Sequence, residues 1–215
     1  MIENISKYTD YTLLKQDAKT EDIISLCNIA KENLCASVCV NPYYVKVAKG
    51  ILEGSTLKVC TVVGFPLGAN CSEIKANEAK QAILDGATEI DMVMNISALK
   101  DKKEDVVKRD IELVLEECKK NNVILKVIIE TCLLDQEEKE RASRIIVEAG
   151  ADFVKTSTGF STKGAEVEDI RLIKKVVGDR ALIKASGGIR DYETALAMLE
   201  AGASRIGASK LIYKE

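Results

Sequence analysis

Short apolar runs alternate along almost the whole chain with segments of helical period, and this alternation limits the fold more than any other feature. Seven runs have strand composition and are continuously apolar, as expected for parallel strands covered on both faces. They are ASVCV (36–40), LKVCTVVGF (57–65), EIDMVM (89–94), LKVIIET (125–131), DFVKTS (152–157), ALIKAS (181–186) and SRIGAS (204–209). An eighth, DYTLL (10–14), precedes a predicted helix from about Thr20 to Asn33.

The segments between these runs have the spacing of amphipathic helices. One set recurs every three or four residues: Val107, Ile111, Val114 and Cys118. Such residues form one apolar stripe on a helix. Three helices end in similar motifs, DGATEI at 85, EAGADF at 148 and EAGASR at 200. In each motif a glycine follows the helix, where a left-handed backbone is favoured, and a strand begins shortly afterwards.

Eight parallel strands that alternate with helices predict an α/β fold, a (β/α)8 TIM barrel. We expect residues 1–215 to form a single domain. An open, doubly wound sheet is the alternative. It is disfavoured because no G-x-G-x-x-G motif follows the first strand and the even strand spacing offers no switch point.

Composition excludes several classes of function. The chain has no histidine, which excludes Ser-His-Asp and Cys-His catalysis and argues against most catalytic zinc sites. A net charge of -3 with mixed signs argues against nucleic-acid binding. No apolar run approaches the ~20 residues of a membrane span, and the first residues lack the order of a signal peptide. Seven cysteines without a C-x-x-C pair indicate reduced thiols in the cytoplasm.

Ionisable residues near strand ends are the candidates for chemistry, because barrel active sites form at the C-terminal ends of the strands. Four lie late in their strands: Asp91, Glu130, Lys155 and Lys184. The strands of Lys155 and Lys184 are consecutive, so we expect the two lysines to be neighbours. Lys126 opens its strand and is predicted to lie at the bottom face in a solvated role.

Two neighbouring lysines have a chemical use. A like charge at ~4 Å would lower the pKa of one amine from ~10.4 by several units. The neutral amine could then attack a carbonyl and form a Schiff base, while Asp91 moves protons. The alternative is that both lysines extend to solvent and pair with Asp91 or Glu130.

Glycine-containing loops follow the seventh and eighth strands, in SGGIR (186–190) and RIGAS (205–209). Barrels frequently bind phosphate there, because glycine lets a ligand approach the backbone N–H groups. Gly187 and Gly188 alone would also suit a tight turn. Together with Gly207 and Ser209, they predict a phosphorylated carbonyl compound as substrate.

Long motifs in order resemble one family, the deoxyribose-phosphate aldolases, which are class I aldolases. The motifs are SVCVNPYYV (37–45), VCTVVGFPLGAN (59–70), EIDMVMNISALK (89–100), LKVIIETCLL (125–134), GADFVKTSTGF (150–160), IKASGGIR (183–190) and ALAMLEAGASRIGAS (195–209). The resemblance implies reversible cleavage of 2-deoxy-D-ribose 5-phosphate to acetaldehyde and D-glyceraldehyde 3-phosphate, with no metal or organic cofactor.

The resemblance also implies residue roles. Lys155 matches the Schiff-base lysine, Lys184 the lysine that perturbs it and joins the proton relay, and Asp91 the acid/base carboxylate. The residues that match substrate-binding positions are Asp10, Thr12, Cys39, Gly159, Gly187, Gly188, Gly207 and Ser209. A homodimer or homotetramer is compatible with the sequence, which does not fix the oligomeric state.

The chain departs from the family pattern at two positions. Tyr11 stands where many relatives have histidine, at a position that tolerates variation. Lys210 stands where a second serine is usual, and it either contacts phosphate or points outward. We also expect a short or missing last helix, which would leave part of the barrel for a partner subunit. Alternative functions are another phosphosugar enzyme on the same barrel and a catalytically silent sugar-phosphate sensor.

Overall fold

The computed structural model describes residues 4–213. Within them, eight parallel strands close into a barrel in sequence order, with β1 paired to both β2 and β8. Helices follow the first seven strands and surround the barrel, so the predicted (β/α)8 fold is confirmed. The strands are β1 (Thr9–Leu13), β2 (Ser37–Val40), β3 (Lys58–Val63), β4 (Glu89–Val93), β5 (Ile124–Ile128), β6 (Phe153–Lys155), β7 (Leu182–Ser186) and β8 (Arg205–Ala208).

The helices pack their apolar stripes on the outer face of the barrel. They are α1 (Thr20–Glu32), α2 (Val45–Ile51), α3 (Ser72–Leu84), α4 (Ile96–Lys100), α5 (Glu104–Lys120), α6 (Gln136–Ala149), α7 (Val167–Val177) and α8 (Tyr192–Glu200). The stripe predicted from Val107 to Cys118 lies on α5 and is fully buried. After β8, residues 209–213 form no helix. None of the described helices is both long and apolar enough to cross a membrane.

Local signals set where several elements begin and end. Gly150 ends α6 in the left-handed region, with φ 84°, as its predicted place after the helix requires. At the other end of α6, Asp135 accepts a hydrogen bond from the Glu138 backbone N–H, and the Glu138 side chain accepts one from that of Asp135. This reciprocal cap satisfies N–H groups that a helix start leaves without partners.

Strand register places the ionisable residues. Lys155 on β6 is the register partner of Lys184 on β7, and Asp91 on β4 is the partner of Lys126 on β5. The barrel interior therefore holds charged side chains, whereas the layer between barrel and helices is mainly apolar.

Candidate active site

Seven ionisable side chains from six strands meet inside the barrel, and we call them the ion cluster. They are Asp10, Glu89, Asp91, Lys126, Lys155, Lys184 and Arg205. Arg205 has 14% of its side chain exposed, and the other six are almost fully buried. Buried charges persist only when they are paired and hydrogen-bonded, and the cluster meets this requirement by mutual contacts.

Asp91 is the centre of the cluster. Its Oδ2 atom accepts hydrogen bonds from Lys155 Nζ at 2.6 Å and from Lys184 Nζ at 2.7 Å. Its Oδ1 atom accepts from Lys126 Nζ at 3.0 Å and from the Cys60 thiol at 3.1 Å. One carboxylate thus joins the two lysines that the sequence predicted to be neighbours, and that adjacency is confirmed.

Lys126 is an interior residue, so its predicted solvated role is wrong. The strand β5 begins two residues earlier, at Ile124, and the Lys126 side chain is fully buried. It donates hydrogen bonds to Glu89 and Asp91 and lies 5.9 Å from the ring centre of Phe153. The carboxylates and the ring replace the water that its charge would lose on burial.

A second layer of contacts holds Asp10. Its Oδ1 atom accepts hydrogen bonds from Ser37 Oγ at 2.6 Å and from Arg205, and its Oδ2 atom pairs with Lys184. Arg205 also pairs with Glu89 at 3.2 Å. Asp10 is therefore a second buried carboxylate partner of Lys184, in addition to Asp91.

The cluster changes the acidity of its members. Burial alone would raise the pKa of Asp91, but the nearby lysines outweigh burial and hold that pKa well below its usual range. Asp10 behaves in the same way: burial raises its pKa, and the surrounding cations, first of all Lys184, bring it below its usual value. Both groups are thus carboxylates in the neutral pH range.

The pKa of Lys184 is set by other groups than Lys155, although the sequence predicted that repulsion between the two lysines would lower the pKa of one of them. Burial lowers the pKa of Lys184, but Asp10 and Asp91 outweigh burial and raise that pKa above its ordinary value. The like charge of the neighbouring lysine is outweighed by two carboxylates, of which Asp91 was predicted only as a proton carrier and pairing partner. Lys184 is therefore a cation in the folded chain.

A cavity of about 300 Å³ opens above the cluster at the C-terminal ends of the strands. The predicted site residues that line it are Thr12, Lys155, Gly159, Lys184, Gly187, Gly188, Gly207 and Ser209. Lys155 and Lys184 lie among these lining residues, and Asp91, which bonds to both, is fully buried. The cavity can therefore bring a small ligand to an amine that is held by a carboxylate.

Other predicted residues do not line this cavity. Cys39 is fully buried beside its register partner Cys60, whose hydrogen bond lowers the pKa of the Cys39 thiol. Lys210 and Tyr11 line a neighbouring cavity between β1 and α1. Glu130 is buried behind the cavity wall and bonds to Thr158. The alternative in which Lys155 and Lys184 extend to solvent is wrong because both are buried, although both do pair with Asp91 as it proposed.

Two sets of candidate metal donors occur in this region of the described residues. The ligand atoms of Cys39, Cys60 and Asp91 lie within 4.8 Å of one another, and so do those of Asp10, Cys60 and Glu89. The carboxylates of both sets already contact lysine or arginine cations, whose charges oppose a metal cation. Both donor sets therefore suit their present ion pairs better than a metal.

Sequence reasoning missed part of the site. The missed cluster residues are Glu89, Lys126 and Arg205. Also missed were Ser37, which donates a hydrogen bond to Asp10, and Cys60, which donates one to Asp91. One signal was available: Glu89 and Asp91 are two residues apart, so they share one face of β4. Two acids on one face of a buried strand require cations from neighbouring strands.

A closed parallel barrel with a cavity over a buried lysine, a carboxylate and a second lysine is typical of aldolases that use an amine nucleophile. The family model described as DeoC/LacD family aldolase matches residues 5–213. The chain belongs to this family of aldolases, so the predicted enzyme class is confirmed.

Curated relatives and solved structures agree with this assignment. A deoxyribose-phosphate aldolase from Clostridium tetani is 58% identical over 95% of this chain and 94% of the relative. One from Brevibacillus brevis is 58% identical over 96% of this chain and 92% of the relative. The structure of "QR15, an Aldolase" has a TM-score of 0.92 and 46% identity, and the alignment covers 97% of this chain and 92% of that one.

Proposed function

We propose that this chain reversibly cleaves 2-deoxy-D-ribose 5-phosphate to acetaldehyde and D-glyceraldehyde 3-phosphate through a Schiff base on Lys155. The observation that carries the proposal is the contact of Lys155 and Lys184 with the same oxygen of Asp91, at 2.6 and 2.7 Å. The names of the curated relatives support the substrate.

The charge balance of the ion cluster supports Lys155 as the nucleophile. The cluster holds four cations and three carboxylates, so the loss of one proton balances it. Among the described residues, Lys126 pairs with three carboxylates and Lys184 with two, whereas Lys155 pairs with Asp91 alone. Lys155 is therefore the lysine of the cluster with the fewest ion pairs to lose when it adds to a carbonyl, and it also lines the cavity.

The proposed reaction uses these groups in order. The Lys155 amine adds to the C1 aldehyde, and loss of water gives an iminium. Removal of the C3 hydroxyl proton breaks the C2–C3 bond and releases glyceraldehyde 3-phosphate, and the electron pair moves into an enamine. Protonation of the enamine at C2 and hydrolysis release acetaldehyde and restore the amine. Asp91 accepts protons as a carboxylate, and Lys184 donates them as an ammonium group.

The phosphate end of the substrate would lie against the glycine loops. Gly187, Gly188, Gly207 and Ser209 line the cavity on one side. Gly187 and Gly188 have φ values of 84° and 78°, a backbone conformation that glycine adopts without strain. We assign these loops, together with Gly159 and Thr12, to substrate binding. Asp10 acts through Lys184, and Cys39 lies beneath the reacting atoms.

Borohydride trapping tests the proposal. Reduction in the presence of acetaldehyde or deoxyribose 5-phosphate should add a stable mass to the peptide that carries Lys155. The adduct should be absent in Lys155→Ala and retained in Lys103→Ala, a control at an exposed lysine. Absence of any adduct in the wild-type chain would favour the silent sensor. An adduct formed with acetaldehyde but not with deoxyribose 5-phosphate would favour an enzyme for another carbonyl substrate.

Assembly and location are further proposals. We propose that residues 1–215 act as one domain, without an added cofactor, and assemble as a homodimer or homotetramer. A solved relative from Aeropyrum pernix, with a TM-score of 0.89 and 33% identity over 95% of this chain and 86% of that one, is described as tetrameric. We propose a cytoplasmic location, since the free thiols of Cys39 and Cys60 inside the site suit a reducing compartment.

A further inference from the structure

Glu130 is a buried carboxylate outside the ion cluster, and the proposed reaction does not use it. It follows β5 and is 3% exposed. Its backbone lies in the left-handed region, with φ 53°, which is unfavourable for a residue with a side chain. Such strain persists only where surrounding contacts enforce it, and it is enriched at functional sites.

Both Glu130 oxygens are bound by one neighbouring residue. The Thr158 backbone N–H donates to Oε1 at 3.1 Å, and the Thr158 hydroxyl donates to Oε2. The same hydroxyl oxygen accepts a hydrogen bond from the Phe160 backbone N–H at 3.0 Å. Glu130 thus fixes the first half of the segment 156–165, which we call the β6 loop because it follows β6.

The other half of the β6 loop is fixed against the glycine turn. The Ala165 backbone N–H donates to the Gly187 carbonyl at 3.0 Å. A Cβ atom on Gly164 would lie only 2.0 Å from that carbonyl oxygen, so the two backbones are in direct contact. The β6 loop is therefore held at two points, by Glu130 and by Gly187.

The held part of the loop forms a cavity wall. Thr158, Gly159 and Phe160 line the cavity together with Gly187 and Gly188, and Glu130 lies behind Thr158 without lining it. Displacement of Thr158 would change the width of the cavity at its glycine-rich end. Lys155 would move less, because it belongs to the strand and pairs with Lys184 in register.

We propose that Glu130 is a positioning residue that fixes the β6 loop and so preforms the phosphate end of the cavity. The inference rests on the proposed function for its phosphorylated substrate. Its physical basis is that a carboxylate with two hydrogen bonds from one residue sets both the position and the orientation of that residue.

The test measures inorganic phosphate binding by calorimetry, which does not require turnover. Glu130→Ala should weaken phosphate binding by about 10-fold, the scale of losing hydrogen bonds to a charged group. Glu130→Gln keeps the side-chain volume and one carbonyl acceptor for the Thr158 N–H, so it should recover part of the affinity. Glu116→Ala, a control at an exposed acid on α5, should bind like the wild type.

Kinetics and trapping separate positioning from general damage. Glu130→Ala should raise KM for deoxyribose 5-phosphate about as much as it weakens phosphate binding, while KM for unphosphorylated deoxyribose and acetaldehyde trapping at Lys155 stay near the wild-type level. If Glu130→Ala does not fold, Glu130→Gln takes its place in every assay and should give a smaller loss in the same direction.

Two results would overturn the inference: wild-type phosphate affinity in a folded Glu130 variant, or no measurable phosphate binding by the wild-type chain. A wild-type chain that binds phosphate but does not cleave deoxyribose 5-phosphate overturns the proposed function instead. In that case the phosphate affinities of the variants still decide the role of Glu130.

Discussion

Lys155 and Lys184 occupy paired positions on the neighbouring parallel strands β6 and β7. Parallel partners point to the same side of a sheet, so their ammonium groups converge on one oxygen of Asp91. The two lysines differ in their other partners, since Lys184 also pairs with Asp10. This difference in ion pairing supports two separate roles, in which Lys184 stays charged and Lys155 reacts.

Replacement of Lys184 should separate catalysis from folding. In Lys184→Leu, Asp91 keeps its contacts with Lys155 and Lys126, so we expect the chain to fold with a lower melting temperature. Loss of a positioned proton donor should lower kcat for deoxyribose 5-phosphate by about 100-fold or more. Lys103→Leu, which removes an exposed lysine, is the control. Near-normal turnover in Lys184→Leu would contradict the proposed relay.

A second buried ion pair should matter for stability. Lys75 on α3 and Asp110 on α5 are both fully buried, with Nζ and Oδ2 2.6 Å apart. Because Asp110→Ala would leave the Lys75 charge unpaired, it should lower the free energy of unfolding by about 3–5 kcal/mol. Asp101→Ala, which breaks an exposed pair with Lys103, should cost less than about 1 kcal/mol. Denaturant unfolding measures the loss of stability in both variants. Equal losses in Asp110→Ala and Asp101→Ala would show that the buried pair contributes no more than the exposed one.

The close backbone contact at Gly164 predicts a sharp contrast between two glycine substitutions. Gly164→Ala would place a Cβ 2.0 Å from the Gly187 carbonyl oxygen, so it should displace the β6 loop and raise KM for the phosphorylated substrate. Gly50→Ala lies in α2 with nothing within 4 Å of the added atom, and it should stabilise the chain by up to about 1 kcal/mol. Thermal melts and steady-state kinetics measure both. Unchanged kinetics in Gly164→Ala would mean that the loop can shift at no cost.

Acid should destabilise the folded chain through the ion cluster. Asp10 and Asp91 have pKa values below their ordinary range, so the unfolded chain binds more protons than the folded chain as the pH falls toward ~3.9. The two carboxylates stabilise the folded chain above about pH 3.9. This stabilisation is lost as the pH falls further, through the pKa values that Asp10 and Asp91 have in the folded chain. We expect the free energy of unfolding to drop by up to about 1.4 kcal/mol per pH unit for each carboxylate between about pH 5 and pH 3.

Urea unfolding at a series of pH values measures this slope. Asp10→Asn removes one of the two carboxylates and should give a shallower slope in the same range. An identical slope in the wild type and in Asp10→Asn would assign the acid sensitivity to other groups.

The secondary structure was predictable because its signals are local. The apolar run at 181–186 and the observed β7 (Leu182–Ser186) differ by one residue, and α1 ends at Glu32, one residue before the predicted Asn33. Continuous apolar composition, helical period and glycine at helix ends all act within a few residues. They therefore remain visible in the sequence.

The charges inside the barrel were only partly predictable. Lys155 and Lys184 were found because their place late in consecutive strands forces them together. Lys126 was misplaced, since the strand start at Ile124 and the inward direction of its side chain depend on the register with β4. Arg205 and Glu89 went unnoticed because their contact joins strands that are 116 residues apart in the sequence.

The sequence by itself therefore determined the barrel, the aldolase resemblance and the two lysines, because each rests on local patterns or on strand order. Only the tertiary structure decided how the charges compensate one another. Asp91 lies between Lys155 and Lys184 because closure of the barrel brings β4 to face β6 and β7 across its interior. Coulomb interactions depend on distance and burial, and neither quantity exists until the strands have closed into a barrel.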